Sequence, residues 1–300
     1  MNKMGIRRRT GALGLAILCG IIVSSLMAGP DDRAAIVCFL EGQARVSDGG
    51  ASLGRELQLF DWLKAGSVVE TAAESRMVVA FAQGDRYELK GKAKATLTAN
   101  GFASASGTLI KLDSVPVVAQ VLALSADSKP GSRLTAIRLR GSNPELAGLY
   151  PAEGAAVLAD EAALSFALVE GVEKYRVELE DAWGNKLLSV ETASPGVALS
   201  PGILKPGAGY YWSVRTLDKI KLSKVADAEF VTLSEDQAKI RKAFQARARA
   251  SKDAAQLLLL ARLDSALNLR REACATLREA QALFPQNAEI KKAMDRMDCR

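Results

Sequence analysis

Leu204–Asp218 reads LKPGAGYYWSVRTLD, and this stretch decides the fold class. Pro206-Gly207 is a turn pair. Beyond it Tyr210, Trp212 and Val214 alternate with Tyr211, Ser213 and Arg215. A period of two puts the first three on one side of a strand, facing inward, and the other three outside. Moving outward, LYPAEGA at 149–155 opens a unit, ALSFALV at 163–169 is a strand run, and KYRVELED at 174–181 shares Tyr175, Val177 and Leu179 on one face. AWGN turns the chain into KLLSVET, and AEFVTL at 228–233 closes with Phe230 inward. Short alternating strands separated by turns predict an all-β sandwich over residues 146–233.

The pattern resembles the fibronectin type III and immunoglobulin-like sandwiches. The resemblance implies that Tyr210 stands at the tyrosine corner, its hydroxyl bonding back to the chain just upstream. It implies little about function, since that fold hosts many unrelated roles. Trp183 is the informative exception, because DAWGN places it at a hairpin tip. Either it is exposed for a partner or it folds over its own hairpin. Trp183, outward-facing Tyr211 and Trp62 are the candidate partner contacts.

Residues 29–99 form an earlier β unit. IVCFLEG, QARVS, SVVET, RMVVAFA, RYELK and ATLTA are strand runs, with a DGG turn at Asp48–Gly50. Gly42, Leu57, Leu63, Gly66, Val68, Thr71, Ser75, Val78, Phe81, Gly84, Leu89 and Leu97 fall in the order of the FecR-like domain, which this unit resembles. It departs at Ser67, where the family usually has Asp, and at Gln83-Gly84-Asp85, which replaces Asp-Gly-Ser. FecR regulators carry a cytoplasmic part that controls a sigma factor. Only ten residues precede the apolar run here, too few to bury a core. The resemblance therefore implies an extracytoplasmic β unit without the sigma-regulating half. Trp62, between Leu59 and Leu63, either caps its own core or meets a partner; Cys38 lies in an apolar strand run and reads as a buried free thiol.

Residues 100–145 read as a linker: GFASASG as a loop, KPGS as a turn, and AIRLRG at 136–141 as a strand closing onto either neighbour. After Leu233 the period changes to that of helices. Ser234 and Gln237 make a capping-box pattern, and Ser251 is placed to cap a second helix through QLLLLARLDSALN. REACATLREAQALF stops at Pro285, and a last helix runs from Asn287 to about Met297. The middle pair resembles one tetratricopeptide repeat, with Leu257, Leu260, Ala261, Ala273, Leu277, Ala280 and Pro285 in place and Asp264 where an aromatic is expected. About three repeats are needed for a continuous core. The helical segment 234–300 should therefore lean on its flanking helices, on the second β unit or on another protein. With Pro285-Gln286 as the turn between antiparallel helices, Cys274 and Cys299 lie nearly opposite, within reach of a disulfide or left as two thiols.

At the amino end Lys3, Arg7, Arg8 and Arg9 lead into the uncharged run Gly11–Ala28, GALGLAILCGIIVSSLMA. Basic residues before an apolar core are an export signal. Residues 1–28 are either a signal peptide cleaved near Ala28 or a retained inner-membrane anchor. Cys19 follows Leu18 inside the run, which is not a lipid-attachment context. The net charge of +6 includes four positives from this segment. The remaining excess sits in the helical tail, with 14 Lys and Arg against 9 Asp and Glu over 234–300. That is a solvated helix face rather than a nucleic-acid footprint.

Histidine is absent from all 300 residues, which excludes a Ser-His-Asp triad, a Cys-His pair and the usual zinc sites. No nucleophile-elbow, phosphate-loop or dinucleotide glycine motif is present. Paired carboxylates are the one catalytic arrangement left open, and no motif points to them. The expectation is a multidomain, mainly β chain with C-terminal helices: a non-enzymatic periplasmic or envelope scaffold with no cofactor, metal or nucleic acid. It would bind an envelope protein or surface glycan and touch the membrane only through its N-terminal segment. The alternative is a membrane-anchored FecR-type sensor adaptor relaying an envelope signal.

Overall fold

The structure, a computed structural model, describes residues 33–48, 54–126, 146–217, 225–251 and 253–299. The segment expected to direct export, Gly49-Gly50 of the first turn, the KPGS turn and the strand expected at 136–141 lie outside the described residues. Among the described residues no helix is long and apolar enough to cross a membrane. The chain is mainly β with several C-terminal helices.

The first sheet holds β1 (Arg33–Glu41), β2 (Ala44–Ser47), β3 (Arg55–Glu56), β4 (Trp62–Lys64), β5 (Val68–Thr71), β6 (Arg76–Phe81), β7 (Arg86–Leu97) and β8 (Phe102–Leu112). Its order is β3-β2-β5-β7-β6-β1-β4, and β8 pairs with β7. The turn from β1 to β2 depends on Gly42, whose φ is +80° and whose absent Cβ would meet Ser75 Oγ at 2.6 Å. Ser75 Oγ in turn accepts the Gln43 N–H at 2.8 Å. Gly42 and Ser75 are thus coupled by one close approach, and a side chain at 42 would displace it.

Strand β1 is buried from Ala34 to Leu40, without polar alternation. Both its faces meet apolar layers. Met77, Val79 and Phe81 of β6 join Ala35, Val37 and Leu40 in one core, whereas Val78 and Ala80 join Ile36, Cys38 and Phe39 in another. The β1–β6 register shifts between Val37 and Phe39, which lets Cys38 and Phe39 both enter the second layer.

The second layer is made largely by helices. These are α1 (Val117–Ala126), α2 (Glu235–Ser251), α3 (Ala254–Ala266), α4 (Arg270–Leu283) and α5 (Ala288–Arg296). Helix α3 is buried on every side from Ala254 to Ala261 because the sheet, α1, α2 and α4 surround it. That is why AAQLLLLA carries no polar stripe. The helical tail therefore leans on the first sheet, which sequence reasoning had not counted among its supports. Asn287 Nδ2 donates to Leu40 O at 3.0 Å, and Arg296 donates to Leu59 O at 3.0 Å.

Two expectations for this region are corrected. Residues 102–112, inside the stretch read as linker, form β8, and Val115, Val117, Val118 and Val121 enter the shared core. Small residues gave β8 no apolar signature; pairing with β7 makes it a strand. Ser251 does not cap α3: Asp253 does, accepting the Ala255 N–H at 2.9 Å. The Ser234–Gln237 capping box forms as expected, through reciprocal bonds of 3.1 and 3.2 Å.

The second β unit holds β9 (Ala155–Val157), β10 (Ala163–Ser165), β11 (Tyr175–Asp181), β12 (Lys186–Thr192), β13 (Gly196–Ala198), β14 (Gly209–Thr216) and β15 (Val225–Thr232). Five of these form a sheet in the order β12-β11-β14-β15-β9, with β9 parallel to β15, and β10 pairs with β13. Tyr175, Val177, Leu179, Tyr210, Trp212, Val214 and Phe230 are buried on one face, joined by Leu164 and Phe166. Trp212 Nε1 donates to Pro151 O at 2.8 Å, so its one polar atom is satisfied. The Lys205 N–H donates to the Tyr210 hydroxyl at 2.6 Å, five residues upstream. This unit is not a separate bead. The Ala156 N–H donates to Asn268 O at 3.1 Å, and residues 32–300 form one compact unit.

Candidate functional site

Trp183 occupies the turn between β11 and β12 and is 89% exposed. The turn is built by Asp181. One of its carboxylate oxygens accepts the N–H groups of Trp183 and Asn185, each at 2.9 Å, and the other accepts the Asn185 side-chain amide at 2.8 Å. The Asn185 amide, with these backbone N–H groups, holds the Asp181 carboxyl below the usual carboxylate range. Gly184 supplies the φ of +83° that lets the chain reverse. The indole does not fold over its hairpin; a hydrogen-bonded turn presents it to solvent.

Cross-strand pairs brace the same hairpin. Arg176 meets Glu191 at 2.6 Å, and Lys186 meets Glu178 at 2.8 Å. The Lys186 bond holds the Glu178 carboxyl below its ordinary range.

Tyr211 lies at the same end of the sheet, since it pairs with Glu180, three residues before Trp183. Its ring is half-buried on the outer face, and its hydroxyl donates to Asp227 at 2.6 Å. Trp62 belongs to the other unit. It sits half-buried on β4 against the shared core, with the Arg33 guanidinium 5.5 Å from its ring centre. The structure thus brings Trp183 and Tyr211 to one end of one sheet and leaves Trp62 as core edge.

The remaining reactive groups are structural. Cys38 is buried, its Sγ donates to Val78 O at 3.3 Å, and burial pushes its thiol up to about 12. A thiol held protonated in an apolar layer is neither nucleophile nor metal ligand. Cys274 and Cys299 form a disulfide, with Cα atoms 5.2 Å apart, joining the start of α4 to the end of α5. Among the described residues no group of three or more His, Cys, Asp or Glu is placed to hold a metal ion.

Two ion pairs, each with a buried arginine, were missed from sequence. Arg241 and Asp264 are both buried and joined by two bonds, of 2.6 and 3.2 Å. Burial pushes the Asp264 carboxyl up to about 6, with Arg241 pulling the other way. Arg86, also buried, donates to Asp113 O at 2.8 Å and to the α3 cap Asp253 at 2.6 Å. Asp264 inside an apolar helical run was the one available signal, and its partner 23 residues away carried none.

No protein-family model matches the chain, and no curated protein matches it. Solved structures similar to parts of it include CopC from Methylosinus trichosporium OB3b. That match has 19% identity over 30% of this chain and 93% of CopC, with a TM-score of 0.23. Dimeric latent PorU from Porphyromonas gingivalis matches at 14% identity over 67% of this chain and 16% of PorU, also with a TM-score of 0.23. Likenesses this slight carry no functional inference.

Proposed function

We propose that the protein is a non-enzymatic, exported envelope scaffold whose second β unit holds a protein or a surface glycan through Trp183. The exposure of Trp183 on an ordered turn carries this reading. A large flat apolar side chain kept in water by a preformed turn costs little conformational entropy when a partner covers it. Glu180, Asp181 and Glu229 stand at the same end of the sheet, so a partner offering hydroxyl or cationic donors fits best. The basic residues ahead of Gly11–Ala28 support export. The FecR-like, fibronectin III/Ig-like and tetratricopeptide-like identities of the three segments belong to the same proposal, on the sequence patterns above.

Fluorescence tests it. Trp212 is buried and Trp62 half-buried, so iodide quenching reports chiefly on Trp183. Titration with solubilised envelope glycan or envelope protein should protect one tryptophan from quenching. Trp183→Ala should abolish co-sedimentation with envelope fragments, while Trp183→Phe keeps part of it. Unchanged co-sedimentation of Trp183→Ala would remove the proposal. The sensor reading requires residues 11–28 to remain attached; mass analysis of the exported chain, showing cleavage near Ala28, would remove that one.

A further inference from the structure

The last strand of a sheet presents a row of unpaired backbone N–H and C=O groups, so each sheet edge has to be kept short, interrupted, guarded by charge or closed. Strands β3, β4 and β9 end their sheets with only two or three residues each. Strand β8 is longer, but Gly107 in its middle has a φ of +86°, which is not extended backbone and interrupts a ladder on its outer side. Strand β12 has no such interruption. It runs for seven residues, Lys186–Thr192, without glycine, proline or a positive φ. Among the described residues it pairs with β11 alone.

The charges on this edge do not guard it. Lys186 is tied back to Glu178 at 2.8 Å and Glu191 to Arg176 at 2.6 Å, both partners lying on β11. On the inner face Leu188 and Val190 are half-buried and form the rim of the second core. Leu187, beside the register shift at the start of the strand, is 37% exposed. A further strand would cover this rim.

The occupant that fits is a second copy of β12. Set antiparallel about a two-fold axis at Ser189, all seven residues find a partner. Ser189 faces itself, Leu188 faces Val190 of the other copy, and Leu187 faces its Glu191. The inner face then pairs apolar with apolar. On the outer face the Lys186 end of one copy comes to the Glu191 end of the other, so opposite charges are neighbours and like charges are not opposed. We infer that two copies of the chain join edge to edge through β12, making one continuous sheet from two five-stranded ones. The pairing is isologous and closes at two copies. It does not rest on the role proposed for Trp183, which lies in the turn ahead of the strand.

Sedimentation equilibrium tests this on the folded chain from Gly29 onward, which holds the whole compact unit. Monomer should pass to dimer as concentration rises, with no larger species. Ser189→Lys and Ser189→Asp each set like charges face to face at the axis. Each should weaken dimerisation at least about ten-fold with an unchanged melting midpoint. Mixed together, the two variants should dimerise again, which a general loss of structure would not allow. Thr108→Lys, exposed on β8, should leave the dimer unchanged. Mild oxidation should crosslink Ser189→Cys into a covalent dimer and not Glu191→Cys, because only position 189 faces its own copy. A monomer at every concentration, no recovery in the mixture, equal crosslinking of the two cysteine variants, or a dimer lost with Thr108→Lys and kept with Ser189→Lys would each overturn the inference. Crosslinking of Ser189→Cys in whole cells to a different protein instead would also overturn it, and would assign the edge to a foreign strand.

Discussion

The two β units bury their sheets differently. Strand β14 alternates, with Tyr210, Trp212 and Val214 inside and Arg215 exposed. Strand β1 does not alternate, because both its faces are covered. The five-stranded sheet makes its core with its own small β10–β13 sheet. The first sheet buries Ile36, Phe39, Val78 and Ala80 with α1 and, for the larger part, with residues from the far end of the chain. One unit is thus locally sufficient, and the other is completed by helices about 200 residues away.

Removing the helices should break this comparison most strongly. A chain ending at Leu233 exposes most of one face of the first sheet, leaving only α1 to cover it. Its cooperative melting should disappear for that unit, while the near-ultraviolet circular dichroism of buried Trp212 persists; loss of both signals together would show that the second unit is equally dependent. The next largest effect should come from Arg241→Ala, which leaves Asp264 buried without its partner and should cost about 3–5 kcal/mol in denaturant unfolding. Arg241→Met with Asp264→Leu should recover most of that, because the pair sits in an otherwise apolar layer.

Cys274→Ser opens a loop of 25 residues' separation and should lower stability by about 3 kcal/mol. Thiol counting sharpens the point. A chain starting at Gly29 should show no reactive thiol when folded, one when denatured without reductant, and three after reduction.

The smallest effect is a dependence on pH. Burial holds Asp264 at about 6, above its ordinary 3.8. Between those values the folded state holds a proton that the unfolded chain has released. The contribution of Asp264 to stability is therefore greatest below the lower value and is lost as pH rises through the upper one. The stability of the wild type relative to Asp264→Asn should fall over this window by at most about 1.4 kcal/mol per pH unit, then stay flat. A gap independent of pH would show that the pair stays ionised throughout.

Much of the second unit was legible because its period matched its burial. Tyr210, Trp212, Val214 and Phe230 were placed inside, and Tyr175, Val177 and Leu179 on one shared face, from alternation alone; all seven are buried. Trp183 was legible as a turn residue, although the Asp181 network that displays it was not. The β8 strand was illegible, since Ala103–Thr108 are small and exposed and only the neighbouring β7 makes them a strand. Arg86 and Arg241 were equally silent. A charged residue with a distant partner leaves no periodic trace.

Local periodicity and turn chemistry, properties of neighbours along the chain, were enough to set the longer strands of the second unit, the helices of the tail, the Ser234 capping box and the opposition of Cys274 and Cys299. Which surface the tail covers, which carboxylates Arg86 and Arg241 meet and why β1 lacks a polar face were decided only by long-range burial. Apolar faces left uncovered by one segment are closed by another, and the identity of that other is a matter of shape and area rather than of sequence adjacency.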